Sequence, residues 1–251
     1  MPFPDSRQHL SSSVIPRVAT LVAILACFAL IEWVASFHIL ASLLPLPSSL
    51  SIPLAWLFEH HIWQFVIGMT AITILSRGHL WSYGINSSDI RISMSVLLKF
   101  YAVALIVMIG LVVMPMIISG SVPEYFRRMG KVNMIGWILF QWMATAVADE
   151  ILFHGLFQTL LLKYWREKVT IGSFDFPVAI LFTSVVFAAG RTNVPVYGGQ
   201  IVEYILALLM GLYGGIVYYR TRSLLTPMLS QAFFYGLPFV IRFAYAALLP
   251  T

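Results

Sequence analysis

Two adjacent acids and a histidine interrupt an otherwise apolar run in the stretch Asp149-Glu150-Ile151-Leu152-Phe153-His154-Gly155. Carboxylates and imidazoles are the side chains that carry general acid–base work near neutral pH. Glu150 and His154 are four apart, so on a helix they share a face and can pair. Asp149 lies about 100° round the helix and points toward another element. It needs a partner there, and Arg191 and Gln231, further along the chain, can offer one. The competing reading is a polar network that only fixes helix packing. Glu32, beside Trp33, and Glu203 are the other acids within apolar runs. Both are read as structural: a protonated or helix-paired carboxyl, and one that reaches the interface. Glu59-His60-His61 offers metal-ligand types, but adjacent histidines diverge by about 100° on a helix. The trio is therefore expected to be a solvated cluster at the water boundary. No cofactor and no metal are expected. The alternative is a zinc held by Asp149, Glu150 and His154, since catalytic zinc usually takes three protein ligands.

The elements that must hold these residues follow from composition. Of 251 residues, 60% are hydrophobic and only 10% charged; mean hydropathy is +0.89. Soluble proteins are about 25% charged, and disordered chains are poor in aromatics, whereas this chain has 14%. The chain reads as a polytopic integral membrane protein in contact with lipid. Its excess of basic residues, +5 overall, falls mostly between apolar runs, where it sets orientation rather than binding nucleic acid. Cys27 is the single cysteine, which excludes an intrachain disulfide and a cysteine-based metal site.

Seven apolar runs are candidate helical spans, the fifth of them short: Val18–Leu44, Leu54–Leu75, Val96–Ile118, Met134–Leu162, Phe176–Gly190, Ile201–Tyr219 and Leu224–Leu249. The last is long enough to break at Gly236–Pro238, and a break would leave a short eighth helix. Ser87 or Ser88, followed by Asp89, is expected to begin an interfacial helix. The fold is all-α, a bundle of about seven or eight helices, divided as 1–133, 134–237 and a short 238–251 segment. Most Lys and Arg lie on the side shared with the N-terminus, including Arg17, Lys163, Arg166, Lys168, Arg220 and Arg222. That places the N-terminus in the cytoplasm, in a plasma membrane or a bacterial inner membrane.

At these residues the sequence resembles the CPBP family, the CAAX-protease and bacteriocin-processing membrane proteins also called Abi. The family's adjacent glutamates match Asp149-Glu150. Its phenylalanine–three residues–histidine motif matches Phe187 to Arg191. A third region matches Gly211-Leu212-Tyr213-Gly214, then Tyr218 to Leu224, then Pro227 to Gln231, with Tyr235 four residues later. The resemblance runs from about Met134 to Gly236.

The resemblance implies peptide-bond hydrolysis at the membrane. The first acid and the second-motif histidine would activate a water, while the last two positions stabilise the oxyanion. Those positions here are Asp149, Arg191, Gln231 and Tyr235, with His154 as a further imidazole. Asp149 is one methylene shorter than glutamate, and a misplacement of about 1 Å can cost about 100-fold. The guanidinium of Arg191 stays charged and cannot shuttle a proton near neutral pH; an Asp149–Arg191 ion pair is expected in place of a catalytic pair. Two readings follow: an intramembrane endopeptidase acting on a lipidated or leader-bearing peptide, and a non-catalytic relative that binds a peptide or membrane-protein partner in the same cavity. A proton-coupled carrier using Glu32, Asp149, Glu150 and Glu203 is the third class.

Overall fold

The computed structural model describes residues 14–37, 52–86, 90–122, 136, 139–165, 167–172, 174–190 and 200–248. They form a helical membrane bundle. With no water in the hydrocarbon to satisfy backbone N–H and C=O groups, long apolar runs close their own hydrogen bonds as helices. The helices are α1 (Val14–Ser36), α2 (Ile52–Ser76), α3 (residues 90–119), α4 (residues 140–164), α5 (Val178–Ala189), α6 (Gln200–Thr221) and α7 (Leu225–Leu248). Four of them, α1, α3, α6 and α7, contain stretches long and apolar enough to cross a membrane. Large apolar side chains such as Val22 on α1 and Leu98, Val103 and Ile106 on α3 point outward, as a surface solvated by lipid requires.

Three features sharpen or correct the sequence reading. First, of the two alternatives for the last run, α7 takes the unbroken one: Leu225–Leu248 is one helix with Pro238 inside it. The proline withholds one helical hydrogen bond, a loss that membrane helices tolerate where neighbours pack closely. Pro238 is itself buried, as are Phe234, Tyr235 and Phe239 on the same helix. Second, Phe176 does not begin the fifth helix. It belongs to a small antiparallel hairpin, β1 (Lys168–Ile171) with β2 (Phe174–Pro177), ahead of α5. Third, α4 is not a uniform α-helix. Phe140–Thr145 and Glu150–Gln158 are π-helical, on either side of an α-helical turn at Ala146–Asp149. The residues expected to start a helix at Ser87–Asp89, like Arg191, lie outside the described residues.

One end of the bundle is tied together by polar contacts. Arg17, at the start of α1, pairs with Glu167 beyond α4. Asn86 donates to the carbonyl of Arg222 (2.8 Å), and the Leu224 N–H donates to the carbonyl of Gly84 (2.9 Å). Gly84 has φ +82°, and a Cβ there would run into the Tyr218 ring, so both backbone and space require glycine. The start of α1, the α2–α3 connection and the α6–α7 turn therefore share one end.

Candidate active site

The α4 π-segment brings its polar residues to the centre of the bundle. Every residue from Glu150 to Gln158 is buried. His154 Nδ1 lies 2.6 Å from Glu150 Oε2, and its Nε2 lies 3.1 Å from the carbonyl of Gly211 on α6. A carbonyl only accepts, so Nε2 carries a hydrogen and donates. The Nδ1···Oε2 contact then holds one proton, belonging either to the carboxylic acid or to the imidazolium. Either way the pair has no net charge, which is how two ionisable groups can sit in a bundle without stranding a charge.

One turn further on, Gln158 Nε2 donates to the carbonyl of Gly215 at 2.8 Å. His154 and Gln158 thus meet two carbonyls one turn apart on α6. The approach depends on small residues. A Cβ on Gly214 would come within 2.9 Å of the imidazole Cε1, and one on Gly215 within 2.8 Å of both Gln158 and Ile180. Small residues at these positions let two membrane helices close to backbone contact, which is the physical content of the glycines in the third motif.

Asp149 faces the other way, toward α7 and α2. Gln231 Nε2 donates to its Oδ2 at 2.7 Å. Its Oδ1 lies 3.6 Å from Nε2 of His61 on α2. Asp149 is 2% exposed and Gln231 1%. Tyr235, one turn beyond Gln231, is buried against Phe234 in an edge-to-face contact. The structure therefore brings Asp149 and Gln231 into contact between α4 and α7, and Glu150 and Tyr235 are buried on the same two helices. His154 is engaged with Glu150 and Gly211 and does not serve Asp149. The expected Asp149–Arg191 pair falls outside the described residues.

The trio Glu59-His60-His61 is a correction. It is not a solvated boundary cluster: the three residues are 0%, 2% and 5% exposed. The reason is where α2 begins. Its first residue is Ile52, so the trio sits two turns inside the helix rather than at its mouth. Glu32 is not alone either, since His60 Nδ1 lies 3.5 Å from its Oε1. Gln64 Nε2 lies 2.9 Å from His60 Nε2. The amide nitrogen must donate, which leaves the His60 proton on the side of Glu32. The divergence of His60 and His61 sends one imidazole to α1 and the other to α4. Glu203 is buried, at 6% exposure, rather than reaching the interface. Among the described residues, no group of three or more His, Cys, Asp or Glu side chains is arranged to hold a metal ion.

Residues 131–237 match the family model of the type II CAAX prenyl endopeptidase Rce1-like proteins. Over these residues the chain is similar to that family. The match begins before α4 and ends within α7, so the matched region contains the Asp149–Gln231 contact and the α4–α6 glycine interface, whereas α2 and its histidines lie outside it. No curated protein and no solved structure matches the chain.

Proposed function

We propose that the protein is an intramembrane endopeptidase that hydrolyses a peptide bond near the C-terminus of a lipidated or leader-bearing substrate. The observation that carries this reading is the Gln231–Asp149 hydrogen bond, 82 residues apart in sequence, which joins the acid of the first motif to the donor of the third. Asp149 is the carboxylate that binds and activates the attacking water. The water oxygen bonds to the scissile carbonyl carbon while the carbonyl π electrons move to oxygen. Gln231 has a second amide N–H, and Tyr235 has a hydroxyl one turn on; these donors suit the oxyanion. Among the described residues, Gln231 Oε1 is buried without a hydrogen-bond partner, which suits the N–H of an incoming peptide. Expulsion of the amine, which takes up one proton of the water, completes the hydrolysis, leaving a carboxylic acid and an amine. The Glu150–His154 pair holds α4 against α6.

A second reading has its own support. Arg191 stands where the resembling family has histidine, and Asp149 is shortened, which favours a relative that binds the peptide without cutting it. Purified full-length protein in lipid nanodiscs, incubated with farnesylated and leader-type peptides, separates the two. New amine termini formed by wild type and lost in Asp149→Asn support the endopeptidase. Peptide binding without cleavage supports the binding protein and ends the first reading.

The Lys and Arg distribution supports a cytoplasmic N-terminus. With Cys27 replaced, a cysteine at Ser11 should resist a membrane-impermeant thiol reagent in intact cells, and strong labelling would reverse the orientation.

A further inference from the structure

We infer that His61 of α2 is the catalytic base of this site, supplying the imidazole that the matched region lacks opposite Asp149. The inference rests on the endopeptidase reading and adds a residue from outside the matched region.

Geometry comes first. The two carboxylate oxygens of Asp149 have different neighbours: Oδ2 is held by Gln231 at 2.7 Å, and Oδ1 lies 3.6 Å from His61 Nε2. That separation is a little long for a direct hydrogen bond and suits one water bonded to both groups. The ring is fixed in place. Phe140 of α4 meets it edge-to-face at 5.7 Å, and His60 does so at 5.3 Å. Gly68, further along α2, lets that helix approach α4, because a Cβ there would be 3.3 Å from Ile151.

Other histidines are committed elsewhere. His154 is held through both nitrogens, and His60 by Gln64 with Glu32 on its other side. His79 is exposed and lies 3.0 Å from the carbonyl of Ser76. Among the described histidines, His61 is the one that presents a nitrogen to Asp149.

Chemistry gives the division of labour. An ordinary aspartate titrates near 4 and an ordinary histidine near 6.5, and a base works best when its pKa is near the working pH. A water held between Asp149 Oδ1 and His61 Nε2 attacks the scissile carbon, and its proton passes to Nε2. The Asp149 carboxylate offsets the imidazolium that forms. The proton then moves from Nε2 to the amide nitrogen as the C–N bond breaks, so His61 and Asp149 end as they began. The balance is one water and one peptide bond consumed, one carboxylic acid and one amine formed.

The test uses full-length protein in nanodiscs with a farnesylated peptide that wild type cleaves, and compares His61→Ala, His61→Gln and Asp149→Asn, each checked for folding by its thermal transition. His61→Ala and His61→Gln should lower kcat by about 100-fold or more with KM within about twofold. Added imidazole should restore part of the activity of His61→Ala, which a packing role would not produce. His61→Gln fills the site and answers the question if the alanine variant does not fold. Loss of cleavage in Asp149→Asn together with activity within about fivefold of wild type in both His61 variants overturns the role of His61 alone. A wild type that cleaves none of the farnesylated or leader-type peptides overturns the endopeptidase reading and this role together.

Discussion

Of the three π-helical stretches among the described residues, two differ most in their consequences: Ile109–Val113 in α3 and Glu150–Gln158 in α4. The α3 stretch is wholly apolar. It ends at Val113, two residues before Pro115, whose missing N–H already removes one helical hydrogen bond. Ile109 is 51% exposed, and a Cβ added at Gly110 would meet nothing within 4 Å. The α4 stretch has no proline, is buried throughout, and carries Glu150, His154 and Gln158 at four-residue intervals, two of them bonded to α6 carbonyls. A π-turn is often a sign of a functional site. The difference between the two lies in polar side chains with partners on a neighbouring helix, which the α4 stretch carries and the α3 stretch does not.

The largest effect expected from breaking this contrast is at Glu150. Glu150→Leu strands His154 in the bundle, and removing one partner of a buried pair costs about 3–5 kcal/mol. Thermal unfolding in detergent should show that loss, and Glu150→Leu/His154→Leu should recover part of it. Strict additivity would mean that the pair does not couple.

Gly215→Val comes next. Its side chain would enter space held by Gln158 and Ile180, an overpacking that costs about 1–3 kcal/mol. The matching change in α3, Gly110→Ala, has open space and no partner to lose. It should leave stability unchanged or raise it by up to about 1 kcal/mol, the usual advantage of alanine over glycine in a helix. If Gly110→Ala destabilised as much as Gly215→Val, the two π-stretches would not differ as described.

The smallest effect lies outside the bilayer, at Glu167. Its own backbone N–H, as the largest effect, holds its carboxyl below the usual range; burial opposes this, and the hydrogen bond and charge of the Arg17 guanidinium add smaller lowering effects. A depressed folded value stabilises fully above the unfolded glutamate value, near 4.3, and that contribution fades as pH falls through the lower folded value. The side chains are 34% and 49% exposed, so Arg17→Gln should cost under about 1 kcal/mol at neutral pH and less in high salt. A Tm difference between Arg17→Gln and wild type that persisted unchanged below the folded value would show that the pair is not its source.

The helices were legible because hydropathy is a local property. A run of about 20 apolar residues has few alternatives in lipid, so Val96–Ile118 and Ile201–Tyr219 could be read without knowing their neighbours. Pro238 left the last run undecided, because a proline cuts a helix only where nothing packs around the break, and packing is not written in the run itself. The hairpin at 168–177 was missed because four-residue strands leave too short a pattern to register.

The site divides in the same way. Sequence by itself determined the Glu150–His154 pair, since four-residue spacing puts both on one helical face whatever surrounds them. It also named Gln231 as a candidate partner for Asp149. Tertiary structure alone decided that Gln231 holds Oδ2, that the glycines of α6 receive His154 and Gln158, and that His61 rather than His154 lies across from Asp149. The Glu59-His60-His61 trio was visible as residues but misjudged in depth, because its burial depends on where α2 starts and on α4 closing over it. Adjacent side chains on a helix diverge by about 100°, so which helix each one meets is fixed by packing between segments far apart in the chain, and no local spacing records it.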